Sequence, residues 1–163
     1  MRIGVLSDTH ISSPRETLPV ALLKAFESVD LILHAGDWID LCVLDQLRPL
    51  AEVRGVFGNM DRPAVRCTLP ETLELDLCGF RVGLIHGFGP PSGIETRIAQ
   101  KFNRPPDLIV YGHTHRPVFH KKGKTHFFNP GSPGDSGFTP RRTFGLLSLG
   151  EEIRGEILSV DPA

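Results

Sequence analysis

Four short segments of this 163-residue chain hold side chains that could do chemistry together: Asp8-Thr9-His10, Gly36-Asp37, Gly58-Asn59 with His86-Gly87, and Gly112-His113-Thr114-His115. They offer two carboxylates, one amide and four imidazoles, a donor set suited to two divalent cations of borderline softness. A lone D-x-H is weak evidence for a metal. H-x-H is more specific here, because it follows a buried strand and a glycine that permits close backbone approach. Asp8 and His10 stand two apart, so on an extended chain end both side chains point the same way, and His113 and His115 repeat that spacing. Each segment ends a run with strand character, which makes coincidence a poor explanation.

Charge narrows the chemistry. Two divalent cations set against Asp8, Asp37 and a bridging hydroxide leave roughly one positive charge. An anionic phosphate needs that charge and a neutral amide does not. Asn59 fits the same logic, since an amide oxygen completes a metal shell without adding negative charge. One carboxylate must bridge cations about 3.5–4 Å apart, and Asp37, on the central segment in chain order, is the choice. Water between such cations loses its proton near neutral pH and attacks phosphorus in line, while the cations polarise the phosphoryl oxygens. The expected cofactors are two divalent metal ions, manganese first, with Fe, Zn, Co and Ni also suited to these ligands.

The elements that must position these residues are legible from periodicity. Arg2–Ser7 reads as a buried strand. Pro19 opens a helix at its first turn, carried on by Leu22, Leu23, Phe26 and Val29. Leu31–Leu33 is a second strand delivering His34 to Asp37, residues 39–48 are helical, and Val53–Phe57 is a third strand. This rhythm predicts parallel strands with right-handed crossovers, whose ligands gather beyond the strands' carboxyl ends. Thr72–Leu77 and Phe80–Ile85 flank Cys78-Gly79 as a hairpin that runs into His86. Ser92-Gly93-Ile94-Glu95 matches a capping box opening a helix through about Phe102. Asp107–Tyr111, Val118–Lys121, Thr125–Phe128, Thr143–Leu149 and Ile153–Val160 are the remaining strands. The expected fold is α/β, two packed mixed β-sheets in a sandwich flanked by helices, with residues 1–163 as one domain.

Bulk properties set the frame. Apolar residues are 40%, charged residues 23% and the formal net charge is −1, so nothing demands nucleic acid or an anionic membrane as partner. The apolar run at Ile3–Leu6 is too short for a signal peptide or a membrane span. Cys42, Cys67 and Cys78 are odd in number and lack C-x-x-C spacing, which argues for buried reduced thiols in a cytoplasmic protein. Homo-oligomers are common among soluble enzymes, but no apolar stripe marks such an interface in the sequence.

In this order, the segments D-x-H, G-D, G-N-x-D, H-G and G-H-T-H resemble the calcineurin-like metallophosphoesterase superfamily, over Ile3 to about Gly131. Chain length and Asn129-Pro130-Gly131-Ser132 are similar to its small single-domain phosphodiesterase branch. The resemblance implies a metal held by Asp8, His10, Asp37 and His115 and another held by Asp37, Asn59, His86 and His113. It implies a small phosphoester substrate, with phosphodiesters ahead of phosphomonoesters. One departure stands out: many members carry a histidine after the motif asparagine to protonate the leaving group, where this chain has Met60. Asp61 or metal-bound water is then the candidate acid, so Asp37, Asn59 and Asp61 form the expected catalytic set. The resemblance also allows a different class, a protein-binding scaffold like a retromer subunit of this fold. The full set of metal-binding histidines favours the enzyme.

Other residues have plainer readings. His34, two residues before the Gly-Asp turn, reads as structural; His120 and His126 read as exposed hairpin residues. Trp38 reads as packing at the site's edge, and Arg141 and Arg142 as surface arginines after Thr139-Pro140. The prolines between Gly87, Gly89 and Gly93 break any dinucleotide-binding pattern.

Overall fold

Ile3 and Val5 face one side of β1 (Arg2–Leu6), Gly4 and Leu6 face the other, and all four are buried. A strand buried on both faces must lie between two layers, and that fixes the architecture. The computed structural model describes residues 1–134 and 141–161. After β1 come α1 (Val20–Phe26), β2 (Leu31–His34), α2 (Cys42–Leu47), β3 (Glu52–Gly55), α3 (Pro63–Thr68), β4 (Thr72–Leu77) and β5 (Phe80–Ile85). The chain continues through α4 (Ile94–Ala99), β6 (Leu108–Tyr111), β7 (Val118–Lys122), β8 (Thr125–Asn129), β9 (Thr143–Leu149) and β10 (Ile153–Ser159).

Two five-stranded mixed sheets result, ordered β10-β9-β1-β2-β3 and β4-β5-β6-β8-β7. β1, β2 and β3 are parallel, as are β5, β6 and β8, with antiparallel strands completing each sheet. Ile3, Val5, Leu31 and Leu33 of the first sheet share one apolar cluster with Val82, Leu84, Leu108 and Val110 of the second, so the two sheets form a sandwich. Helices cover the outer faces. Leu22, Phe26, Val43, Leu47 and Val65 pack on the first sheet, while Ile94 and Ile98 pack on the second against Ile109 and Phe127. Gly4 makes room for this packing, since a Cβ there would meet the Phe26 ring at 2.8 Å. Among the described residues no helix is long and apolar enough to cross a membrane.

Several local expectations are corrected. Pro19 sits at the N-cap of α1, outside its first turn, and the helix stops at Phe26. β3 ends at Gly55, where the chain passes over Trp38; a Cβ on Gly55 would lie 2.3 Å from the indole. α3 is an additional short helix that buries only Val65, too little apolar periodicity to mark it in the sequence. The capping box does not form. The N-cap of α4 is Gly93 in left-handed conformation with no side-chain cap, and the Glu95 carboxylate bonds the His120 imidazole at 2.7 Å instead. The hairpin is as expected, and both turn residues, Cys78 and Gly79, take positive φ, the signature of a type I′ turn. Cys42 is buried, but Cys67 and Cys78 are exposed; all three are free.

Candidate metal centre

The carboxyl ends of β1, β2, β5 and β6 and the loop after β3 bring Asp8, His10, Asp37, Asn59, His86, His113 and His115 together. The D-x-H and H-x-H residues do not lie on extended backbone as their spacing implied. Asp8, His10, Asp37, His113 and His115 all have φ between 52° and 68°. Non-glycine residues rarely adopt this left-handed region, each at a cost of roughly 1–2 kcal/mol. Such strain persists only where the surroundings over-determine it, and it clusters at functional sites. Here cross-loop hydrogen bonds do so: Asp8 N–H donates to Gly36 O at 2.9 Å and His10 N–H to Asp37 O at 3.1 Å.

The facing atoms form a ring of donors. Asp8 Oδ2 accepts the backbone N–H of His113 at 3.1 Å. Its other oxygen, Oδ1, is buried, accepts no hydrogen bond, and has Nε2 of His115 at 3.1 Å and Nε2 of His10 and His86 at 3.9 Å. Asp37 Oδ1 accepts the Met60 N–H at 2.8 Å, while Oδ2 faces His86 Nε2 at 3.3 Å and His10 Nε2 at 3.9 Å. Asn59 Oδ1 lies 3.1 Å from His86 Nε2 and 2.9 Å from His113 Nδ1. Asp8, His10 and His115 form one cluster of convergent ligand atoms; Asp8, Asp37 and His86 form another. Asp8 belongs to both clusters, and Asp37, a member of the second, also has His10 Nε2 of the first at 3.9 Å.

The imidazole tautomers test whether metal ions fit. His86 Nδ1 donates to Ala35 O at 2.8 Å, and His113 Nε2 donates to Gly89 O at 2.9 Å. In the neutral rings, His86 Nε2 and His113 Nδ1 then carry lone pairs aimed at acceptor oxygens of Asn59 and Asp37. The carboxylate oxygen Asp37 Oδ2, 3.3 Å from His86 Nε2, can only accept, so that contact is satisfied by a cation or an added proton between the two. Burial disfavours a charge on His86, but its hydrogen bond to Asp37 and the nearby Asp8 and Asp37 carboxylates outweigh that and raise its pKa. For Asp37 burial pushes upward, and the contacts with His86 overcome it and lower the pKa. The donor set fits divalent metal ions.

Residues behind the ligands hold them in place. Asp61, expected as a candidate acid, is buried and accepts the backbone N–H groups of Gly58 at 2.7 Å, Ile39 at 2.6 Å and Asp37 at 3.2 Å. It ties the Asp37 loop to the Asn59 turn; burial raises its pKa in spite of these bonds. Arg66 on α3 donates to the carbonyls of Asp61, Gly58 and Asn59 at 3.0–3.1 Å. Arg97 on α4 donates likewise to Phe88 and Ser92 at 3.2 and 2.7 Å and to Pro90, fixing the loop whose Gly89 carbonyl orients His113. Neither arginine was foreseen. Nothing in the local sequence marks them, because their partners are backbone carbonyls.

Asn129 Nδ2 donates to Gly112 O at 2.8 Å, and Ser132 Oγ to Asp8 O at 2.7 Å. The Asn129–Ser132 segment therefore braces two ligand loops. Glycines complete the fit: a Cβ at Gly58 would sit 2.1 Å from Asp37 Oδ1 and one at Gly112 would sit 2.6 Å from Asp8 Oδ2.

His34 is structural. Its Nδ1 accepts the Gly36 N–H at 3.2 Å and its Nε2–H donates to Thr9 Oγ1 at 3.1 Å. Complete burial holds its pKa well below the ordinary value. Trp38 stacks on this ring at 3.5 Å and donates its indole N–H to Val56 O, fully buried. His120 and His126 are half-buried, not exposed; His120 is held by Glu95 and His126 stacks on Phe119. The Arg142 guanidinium pairs with Asp161; Thr139 and Pro140 lie outside the described residues.

The chain is similar to known proteins. The model of the calcineurin-like phosphoesterase superfamily domain matches residues 1–152. A probable metallophosphoesterase of Methanothermobacter thermautotrophicus is 38% identical over 159 residues, 97% of this chain and 92% of that protein. A phosphodiesterase of Methanocaldococcus jannaschii is 28% identical over 145 residues, 80% of this chain and 83% of that one. The crystal structure of a Vps29 mutant from Entamoeba histolytica matches with a TM-score of 0.75 at 25% identity, covering 98% of this chain and 99% of the other. The chain belongs to the calcineurin-like phosphoesterase superfamily.

Proposed function

We propose that this chain is a metal-dependent phosphodiesterase acting as a single domain, with two divalent ions, manganese foremost, at the seven-residue centre. One observation carries the reading: the ligand atoms of Asp8, His10 and His115 and those of Asp8, Asp37 and His86 converge in two adjoining clusters, with the His86 tautomer fixed by Ala35 O so that its Nε2 faces the Asp37 carboxylate. Asp8, His10, Asp37 and His115 would hold one ion, and Asp37, Asn59, His86 and His113 the other. When bound, the ions supply Lewis acidity and activate water for in-line displacement at phosphorus.

The protein's own groups then orient and hold. Ala35 O and Gly89 O fix the His86 and His113 tautomers. Such outer partners orient metal ligands and raise their basicity. Asp61, occupied by three backbone donors, acts as a positioning residue. The Met60 side chain has no proton to give, so leaving-group protonation falls to solvent. This favours substrates with good leaving groups; the likeness to a phosphodiesterase of Methanocaldococcus jannaschii supports small phosphodiesters before phosphomonoesters. A cytoplasmic setting accords with the three free thiols.

The likeness to Vps29 supports a second reading, a metal-binding scaffold for partner proteins. Hydrolysis of bis-p-nitrophenyl phosphate separates the two. Manganese-dependent turnover that is lost in Asp37→Ala supports the enzyme, whereas metal binding without turnover of any mono- or diester favours the scaffold.

A further inference from the structure

Three cavities open beside the candidate ligands. One of about 590 Å³ reaches Thr114 and is faced by Glu95, Arg116 and Lys122. Another of about 470 Å³ adjoins His10 and is faced by Arg15 and Glu16. The third, of about 430 Å³, is walled by Asn59 and His86 themselves and by Phe57 and Phe88. A group on a phosphoryl centre held by Asn59 and His86 has direct access to this third cavity, whose size is that of a small-molecule pocket.

Its chemistry is aromatic. The exposed large apolar side chains among the described residues are Met1, Val20, Met60 and Phe88, and Phe88, 41% exposed, is the one aromatic. Met60 and Phe88 stand within two residues of Asn59 and His86, so apolar surface is left open at the centre's mouth.

Two cations also line the cavity, and both are committed. Lys101 bonds the Glu71 carboxylate at 2.9 Å and lies 5.3 Å from the Phe88 ring centre. Arg66 lies 4.9 Å over Phe57, with its donors on three backbone carbonyls. Lys101 is paired with Glu71 and Arg66 is turned onto backbone carbonyls, so the Phe88 ring is the surface the pocket offers to a flat group.

We propose that this cavity receives a planar aromatic ester group of a phosphodiester whose phosphoryl group sits at the metal centre. The inference rests on the phosphodiesterase reading above and names the substrate class within it.

The test compares two monoanionic probes, diphenyl phosphate and dimethyl phosphate, titrated calorimetrically into the manganese-loaded chain. Diphenyl phosphate binds about tenfold tighter, the order expected for stacking of one ring. In Phe88→Ala that ratio falls to about twofold. In Phe88→Leu, which keeps apolar area but loses the flat face, the ratio is intermediate. A wild-type ratio near one, or a ratio unchanged in both variants, overturns the pocket and leaves the phosphodiesterase reading standing. Failure of both diesters to bind the loaded chain overturns both.

Discussion

Asp8 and His113 are joined across the sandwich by one hydrogen bond, from the His113 backbone N–H to Asp8 Oδ2 at 3.1 Å. The bond locks the end of β1 to the end of β6 and turns Asp8 Oδ1 toward His115, 3.1 Å away. A carboxylate that is half anchor and half candidate ligand explains how strand ends remote in sequence keep a common geometry. Asp37 is built the same way, with Oδ1 on the Met60 N–H and Oδ2 on His86.

Removing each carboxylate distinguishes the bridge from the terminal ligand. If Asp37 bridges, Asp37→Ala loses both ions and all hydrolysis, each affinity falling more than about 100-fold, beyond the loss typical of outer partners. Asp8→Ala loses one ion and retains the other. Equilibrium dialysis with elemental analysis reads the stoichiometry, and the reverse pattern makes Asp8 the bridge.

Acidity has a definite sign. His86 has its pKa raised above 6.5, so in the metal-free chain its contribution to stability is full below 6.5 and lost as pH rises through the raised value. Asp37 is lowered from 3.8, so its contribution is full above 3.8 and lost as pH falls through the lowered value. A metal ion competes with the His86 proton. Manganese affinity therefore climbs as pH rises toward the raised His86 pKa, by about tenfold per unit where one proton is displaced. Titration calorimetry in buffers of different ionisation enthalpy measures that proton; affinity flat from pH 5 to 8 contradicts histidine ligation.

Arg97 tests positioning at a distance. It holds three carbonyls around Gly89, whose own carbonyl receives the His113 imidazole. Arg97→Ala should weaken the ion served by Asn59 and His113 by about 10–100-fold, with little effect at the other. Arg97→Lys does not rescue it, since an ammonium lacks the planar fork. Stepwise manganese binding, resolved by electron paramagnetic resonance, separates this from general destabilisation, which would weaken both ions alike.

Met60 sets the leaving-group range. Rates on aryl diesters should fall steeply as the leaving phenol becomes more basic. Met60→His should raise kcat/KM for basic phenols by at least about tenfold, the lower end being modest for general acid catalysis. A shallow dependence in the wild-type chain would show that a proton donor is already present.

Much of this was legible in the sequence because strands announce themselves locally. The hairpin of β4 and β5 follows from alternation around Cys78-Gly79, and the buried runs at Ile3–Leu6 and Leu108–Tyr111 place Asp8 and His113 at strand ends. What escaped is long-range or conformational. Residue type cannot show that Asp8 and His10 adopt left-handed backbone, because cross-loop bonds enforce it. Asp61 reads as a free carboxylate beside Asn59, yet it accepts the neighbouring Gly58 N–H and those of Asp37 and Ile39, 24 and 22 residues away. Glu95 matched a cap yet found His120, 25 residues on.

The central claim is a two-metal phosphodiesterase, and one titration tests it most directly. The metal-stripped chain is titrated with manganese while hydrolysis of bis-p-nitrophenyl phosphate is followed in the same samples. Two ions bound per chain, with turnover appearing as the second site fills and vanishing on chelation, is the predicted result. A single bound ion at saturation, or turnover that survives complete removal of metal, would contradict it.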